Sequence, residues 1–416
     1  MAKHQLTLDA YKIYLAATGI EWFLDNLFMT VIFVYRATQI TSDPFQLTLI
    51  EMVFTLTLLL FEIPTGVIAD VFGRRLSVIL GYGVIGIAAL LQVVFPTLTI
   101  MLVSQVVWAL GFSFITGAKD AWIADEIGEE KVGKVYLRGS QITQVALFVS
   151  IPIATWLGTI SLNLPIFIAG VGYILLTIGL LLTMPETGFH PQGQVDSNAW
   201  RNMLSTIQES LNLVRVRSIL SSILLMSLIF GLSSAGFDNL WTVHLLENIK
   251  FPIIGNFEPI VWFGAISMVV SILGLMGTEL VHRKLDVDRQ PVIVRSLTFL
   301  TSAAAIFMIL FGLAQNFWLA AAVYCLVLTL RTICEPLIKT WINLNVDSNV
   351  RATVLSLDEQ AFSLGGTIGG PAAGAVGSLV SLPAALVAAG LIRLPATFVF
   401  LRVISSGKSQ KEQSQE

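Results

Sequence analysis

Gly66-Val67-Ile68-Ala69-Asp70-Val71-Phe72-Gly73-Arg74-Arg75 is a short turn of charge and glycine between two apolar runs, each long enough to cross a bilayer. A connection this short and basic fixes the side of the membrane on which it lies, and it sets charged groups where a gate would form. Around it, the 416-residue chain is 55% hydrophobic and 12% charged, with a mean hydropathy of +0.80. Soluble domains carry about 25% charged residues, so this composition describes a polytopic membrane protein. A net charge of −3 offers no basic surface for nucleic acid. Cys325 and Cys334 lie nine residues apart in one apolar run, a spacing that fits no metal site, and they read as an inert buried pair. The N-terminal residues 1–10 lack the apolar core and small-residue cleavage site of a signal peptide, so the first span is expected to direct insertion.

Crossing ~30 Å of hydrocarbon takes ~20 apolar residues. Twelve such runs are present, at 10–35, 45–68, 76–95, 98–123, 137–160, 163–184, 218–246, 259–281, 291–313, 316–343, 353–380 and 383–403. The predicted fold is an all-α membrane protein of twelve transmembrane helices in two pseudo-symmetric six-helix bundles. With a cytoplasmic N-terminus, the inner segments hold Lys3, Arg74, Arg75, Lys131, Lys134, Arg201, Arg215, Arg217, Arg283, Lys284, Arg289, Arg351, Lys408 and Lys411. The outer segments hold only Arg36 and Lys250. This separation predicts a multi-pass protein of the cell membrane with both termini cytoplasmic.

The one long polar connection, 185–217, divides the chain into bundles at 1–184 and 218–403, followed by a tail at 404–416, and is expected to be partly helical through 199–216. Repetition supports the division. Asp25-Asn26-Leu27-Phe28 recurs as Asp238-Asn239-Leu240-Trp241, 213 residues on, and Arg138 and Arg351 are separated by the same interval. Halves related by duplication place substrate between repeats near the midplane.

In such a chain, Gly66-x-x-x-Asp70-x-x-Gly73-Arg74-Arg75 between spans two and three resembles the signature loop of the major facilitator superfamily. Phe61-Glu62-Ile63-Pro64-Thr65-Gly66, Ala121-Trp122-Ile123-Ala124-Asp125-Glu126, Met184-Pro185-Glu186-Thr187-Gly188-Phe189 and Arg351-Ala352-Thr353-Val354-Leu355-Ser356 are similar to a bacterial group classed with tetracycline and macrolide exporters. Gly66 is expected to let a neighbouring helix pack closely, and Gly73 to supply a turn that a Cβ would obstruct. In a facilitator-like fold Asp70 would accept from free N–H groups at the start of span eleven, near Ala352 and Thr353. The resemblance implies that Arg74 or Arg75 pairs with Asp125, closing the cytoplasmic side. Lys119, Asp120 and Arg138 are assigned to the same gate. The alternative is that Arg74 and Arg75 only fix topology against lipid headgroups.

Charges inside spans persist mainly where they pair or line a cavity. Glu21 and Asp25 are four residues apart on one face of span one, and two repelling, desolvated carboxylates suit reversible proton binding. Asp238 holds the repeat-related position in span seven. In span ten Arg331, Glu335 and Lys339 fall on one stripe. Arg331 is either a counter-ion for Asp25 or Asp238, a ligand for an anionic group, or the partner of Glu335. Gln105 is the mid-span polar group of span four, where proton-coupled facilitators often carry arginine. Trp22 and Trp241 would line an apolar pocket or anchor at the interface. Glu51, Glu62, Arg393 and the Asp358-Glu359 pair are further candidates. Gly365 to Ala375 in span eleven, rich in small residues with Pro371, is similar to an antiporter motif that the family places in span five.

No nucleotide-binding loop, metal cluster or activated nucleophile is seen, so no cofactor and no enzyme activity is expected. A monomer moving small molecules and protons through the lipid bilayer by alternating access is expected, most simply a proton-coupled exporter of amphipathic molecules. An importer or facilitator of a metabolite is the alternative within transport. A membrane-embedded sensor or enzyme would need a signalling or reactive segment that 185–217 and the tail do not supply.

Overall fold

Hydrocarbon offers no partner for backbone N–H and C=O groups, so each span must satisfy them within itself. The computed structural model, which describes residues 2–189, 218–255, 257–285, 289–346 and 348–413, does so with helices, and there is no strand among the described residues. The helices are α1 (Ala2–Tyr35, continued by a π-helical turn Arg36–Ile40), α2 (Pro44–Phe72), α3 (Arg74–Val94), α4 (Leu98–Ile115), α5 (Ala118–Ile127), α6 (Glu129–Ile160), α7 (Asn163–Thr183), α8 (Ser218–Asn248), α9 (Pro259–Lys284), α10 (Gln290–Leu313), α11 (Phe317–Asn345), α12 (Ser348–Leu379) and α13 (Leu382–Gln413). They build twelve spans, because α4 and α5 form one span broken at Gly117, whose φ of 77° ends the first helix. Eleven spans have the length and hydropathy to cross a membrane. The other, α12, is long enough, but its glycines and alanines lower its hydropathy.

Local signals set the ends. The Thr97 hydroxyl accepts from the Ile100 N–H (3.3 Å) at the start of α4. Asn316 Oδ1 accepts from the N–H groups of Trp318 (2.9 Å) and Leu319 (3.3 Å) at the start of α11. Several boundaries differ from the hydropathy reading: α1 starts at Ala2, eight residues before 10, and α12 at Ser348, five before 353. Span five begins at Glu129, eight residues before 137, because Gly128 turns the chain at φ 94° and Glu129 and Glu130 favour the positive end of the new helix. Span twelve continues as helix to Gln413, through most of the expected tail. The helix expected at 199–216 lies outside the described residues.

The helices divide into two compact units, 1–42 with 53–197 and 255–265, and 43–52 with 198–254 and 266–416. In the first, α1 packs on α6 and α7, and α3 on α4 and α7; in the second, α8 packs on α12 and α13, and α10 on α11 and α13. Span for span these are the same four pairings, so the duplication read from Asp25 and Asp238 is present in the packing.

The closest approach in the second unit is between α8 and α12. A Cβ on Gly231 would lie 2.0 Å from the carbonyl oxygen of Phe362, and one on Gly369 2.3 Å from that of Leu232. Backbones in direct contact exclude any side chain at these positions. Gly66 differs from expectation. A Cβ there would meet nothing within 4 Å, so its role is not close packing. Overpacking costs ~1–3 kcal/mol. Gly231→Val is therefore expected to lower the thermal midpoint of the detergent-purified protein by several degrees, whereas Gly66→Ala, which gains helix propensity in open space, leaves it unchanged or slightly raised.

Candidate functional site

In the first unit the break at Gly117 re-aims α5 toward α1. Lys119, from the first turn of α5, forms an ion pair with Glu21, and both side chains are largely buried, at 14% and 18% exposure. Its ammonium also lies 5.7 Å from the Tyr14 ring centroid. The neighbouring Asp120 accepts from the Tyr14 hydroxyl (3.1 Å) through Oδ1, and its carbonyl accepts from the Tyr136 hydroxyl (3.0 Å). Lys119 and Asp120 therefore join α5 to α1 and do not enter the Gly66–Arg75 network. Glu21 is paired with this lysine, so of the two carboxylates on this face of α1 Asp25 is the one without an ion-pair partner among the described residues. Asp25, a turn further on and half-buried, has no hydrogen bond or ion pair among the described residues. Beyond it the Phe28 ring lies 4.3 Å from Trp108, centroid to centroid. Gln105 is buried one turn before Trp108, and Trp22 is 40% exposed.

At the Gly66–Arg75 turn, Gly73 has φ 112°, a conformation that L side chains rarely adopt. The Glu186 carboxylate fills the space a Cβ would take, and it accepts from the Arg75 N–H (2.9 Å), capping α3. The Arg75 side chain reaches the Leu181 carbonyl near the end of α7 (2.7 Å). Arg74 pairs with Asp125, donates to the Ala121 carbonyl (2.8 Å), and lies 3.8 Å from Asp70. Its Asp125 pairing places an interhelical contact where the alternative put headgroup contacts alone. Arg138 stands apart, exposed and donating to Gln141 on its own helix (2.7 Å), because the early start of α6 carries it beyond the turn.

The same network holds groups that the sequence reading did not select. Glu126, 7% exposed, accepts from the Thr187 N–H (2.5 Å), the Thr187 hydroxyl (2.7 Å) and the Gly188 N–H (2.8 Å). The Trp122 indole donates to the Pro185 carbonyl (2.7 Å). Pro185-Glu186-Thr187-Gly188 is thereby bound to α5 and to the start of α3. The signal was present in the acidic and hydroxyl residues that flank the ends of spans four and six.

In the second unit Arg331 on α11 and Asp238 on α8 form a bidentate pair, Nη1 to Oδ1 at 2.5 Å and Nη2 to Oδ2 at 2.7 Å. Of the three partners open to Arg331, this one is made. Glu335 instead pairs with Lys339 (3.3 Å) in an exposed intrahelical contact. Trp241 is buried and stacks on Tyr324, with centroids 4.1 Å apart and planes 18° from parallel. A cavity of about 610 Å³ lies within the unit, with Arg331 in its wall, lined from α8, α9, α11, α12 and α13.

Hydrogen bonds to a charged group contribute ~1.5–3 kcal/mol each. Glu126→Gln, which removes the charge and one acceptor from three such bonds, is expected to destabilise the first unit by about 2 kcal/mol. Thermal unfolding should show the loss, and limited proteolysis should show faster cleavage after Met184; Thr187→Val should show a smaller effect of the same sign.

The model of the Major Facilitator Superfamily matches residues 14–370. Among curated proteins the chain is similar to an uncharacterized MFS-type transporter, YxaM, of Bacillus subtilis (strain 168), at 27% identity over 180 residues. That alignment covers 41% of this chain and 43% of the relative, less than half its length. Among solved structures it is similar to a POT family transporter in complex with a thioalcohol-conjugated peptide, with TM-score 0.75 and 12% identity, covering 95% of this chain and 96% of that one. It is also similar to the nucleoside transporter NupG, with TM-score 0.75 and 12% identity over 95% and 99% of the two chains. At these identities the structures speak for the fold, while the family match extends over most of the sequence. With twelve spans in two like units and the charged turn between spans two and three, this chain belongs to the Major Facilitator Superfamily.

Proposed function

We propose that the chain is a secondary active transporter of the cell membrane, with both termini cytoplasmic and the segment 185–217 tethering its two bundles, which exports amphipathic small molecules in exchange for protons by alternating access. The observation that carries this reading is Asp25. A carboxylate inside a span is costly unless paired or used, and Lys119 is spent on Glu21. Asp25 is left as the proton carrier. The likeness of several motifs to bacterial drug exporters supports an amphipathic cargo.

In this reading the network around Gly66–Arg75 is the cytoplasmic gate. Arg74 ties the turn to Asp125, Glu186 caps α3, and Asp70, with 54% of its side chain exposed, serves as the acceptor for a helix N-terminus in the closed state. Neutralising Asp70 removes the charge that such a contact needs. Asp70→Asn should slow exchange in proteoliposomes while leaving equilibrium binding of a ligand unchanged; full-speed exchange would remove Asp70 from the gate.

Proton coupling is tested with the whole protein in proteoliposomes carrying an imposed pH gradient and a panel of fluorescent amphipathic dyes. Wild type is expected to move dye against its gradient. Asp25→Asn should abolish that accumulation but keep passive exchange. Accumulation by Asp25→Asn equal to wild type would exclude Asp25 as the carrier, and pH-independent equilibration by wild type would favour a facilitator.

A further inference from the structure

The cavity in the second unit contains a cation that no carboxylate neutralises. Arg393 on α13 is 3% exposed and lines the cavity. Its Nη1 lies 3.5 Å from the Ser234 hydroxyl, the outer limit of a hydrogen bond, and its Nε has no partner. The guanidinium sits 4.3 Å from the Phe230 ring centroid. A ring face offsets part of the desolvation but gives no acceptor for a group with five N–H donors.

Three of the acidic groups nearby are engaged elsewhere. Asp238 gives both oxygens to Arg331, Asp358 is bonded to the Ser227 hydroxyl, and Glu335 is with Lys339. Glu359, exposed on α12, lines the same cavity but forms no ion pair with Arg393. Among the described residues, none forms an ion pair with Arg393. The repeat shows what is missing. Ser234 stands 213 residues after Glu21, the interval that relates Asp25 to Asp238. At this position the first unit has a carboxylate and the second a hydroxyl, while Arg393 comes from a different span than Lys119, 213 residues after Leu180.

We propose that this cavity binds amphipathic organic anions, with a carboxylate of the ligand on the Arg393 fork beside Ser234 and its apolar body against Phe230, Val270, Leu328, Ile338 and Phe362. A planar guanidinium presents paired donors that match a carboxylate, which a lysine does not. At about 610 Å³ the cavity is within the ordinary range for a small organic ligand. The proposal rests on the transporter reading and specifies the cargo of that protein.

The test is equilibrium binding to the full chain in lipid nanodiscs, read as saturable thermal stabilisation by 1-naphthoate, by its neutral amide 1-naphthamide, and by the cation tetraphenylphosphonium. Naphthoate is expected to stabilise wild type and naphthamide to have little effect. Arg393→Met should weaken naphthoate about tenfold or more, as expected for the loss of charge-assisted hydrogen bonds. Arg393→Lys keeps the buried charge, guards against a folding failure of the first variant, and should retain a reduced preference for the anion. Equal stabilisation by naphthoate and naphthamide, undiminished naphthoate binding to a folded Arg393→Met, or a preference for the cation would each overturn the proposal. None of these depends on a gradient, so they leave proton coupling untouched. Conversely, intact accumulation by Asp25→Asn would remove the proton carrier while leaving the anion site standing.

Discussion

A formal charge inside a membrane span costs at least ~2.5 kcal/mol on insertion scales, and the interior of this protein is arranged around that penalty. Arg331 and Asp238 meet as a two-bonded fork between α11 and α8. Glu21 and Lys119 meet between α1 and α5. Each pair joins two helices that are distant in sequence, so neutralising the charges also fixes the register in which those helices pack. The break at Gly117 follows from the same requirement. A continuous span four would carry Lys119 past Glu21 in a different direction, and the positive φ lets the chain resume as a new helix whose first turn presents lysine to α1.

At the Gly66–Arg75 turn, three short segments converge that lie far apart in sequence: the turn itself, residues 121–126, and residues 185–188. The constraint there is of another kind, since helix ends leave backbone groups unsatisfied. Glu186 answers the start of α3, Arg75 the end of α7, and Glu126 the N–H groups of Thr187 and Gly188. One consequence is mechanical. The chain leaving α7 is bound to α5 and α3 at residues 185–188, so a displacement of either helix end is transmitted to Thr187 and Gly188.

The spans were legible because length and hydropathy are properties of each segment alone, and the duplication was legible because Asp25-Asn26 and Asp238-Asn239 kept their residues. The partner of Arg331 was left open among Asp25, Asp238, Glu335 and an anionic ligand, and the structure gives Asp238. Other features depend on pairs of segments that no local pattern joins. The four-residue spacing of Glu21 and Asp25 puts two carboxylates on one face of α1; the lysine that pairs with one of them enters from span four after a turn that hydropathy does not register. Gly66 reads as a packing glycine from its motif, yet the tight backbone contact is at Gly231 and Gly369, where the sequence shows only small residues among apolar ones. Glu126 sits beside Asp125 and looks like its duplicate, although one holds Arg74 and the other the end of span six.

The two halves have kept one packing plan and divided the charges differently. In the first, the cation is matched to Glu21, and the carboxylate one turn on, Asp25, is left unpaired. In the second, the carboxylate one turn on, Asp238, takes Arg331, while the position of Glu21 is filled by Ser234 and Arg393 faces it without an anion. The two units therefore differ in which intramembrane charge has no ion pair among the described residues, Asp25 in one and Arg393 in the other. In the readings proposed above, a proton satisfies the first and an anionic ligand the second. Each deficit costs stability while it is open, so the filled states are favoured by the same desolvation energy that makes the open ones expensive. On those readings, exchange of a proton for an anion needs no charge relay along span four, where Gln105 stands, because each half carries its own unpaired group.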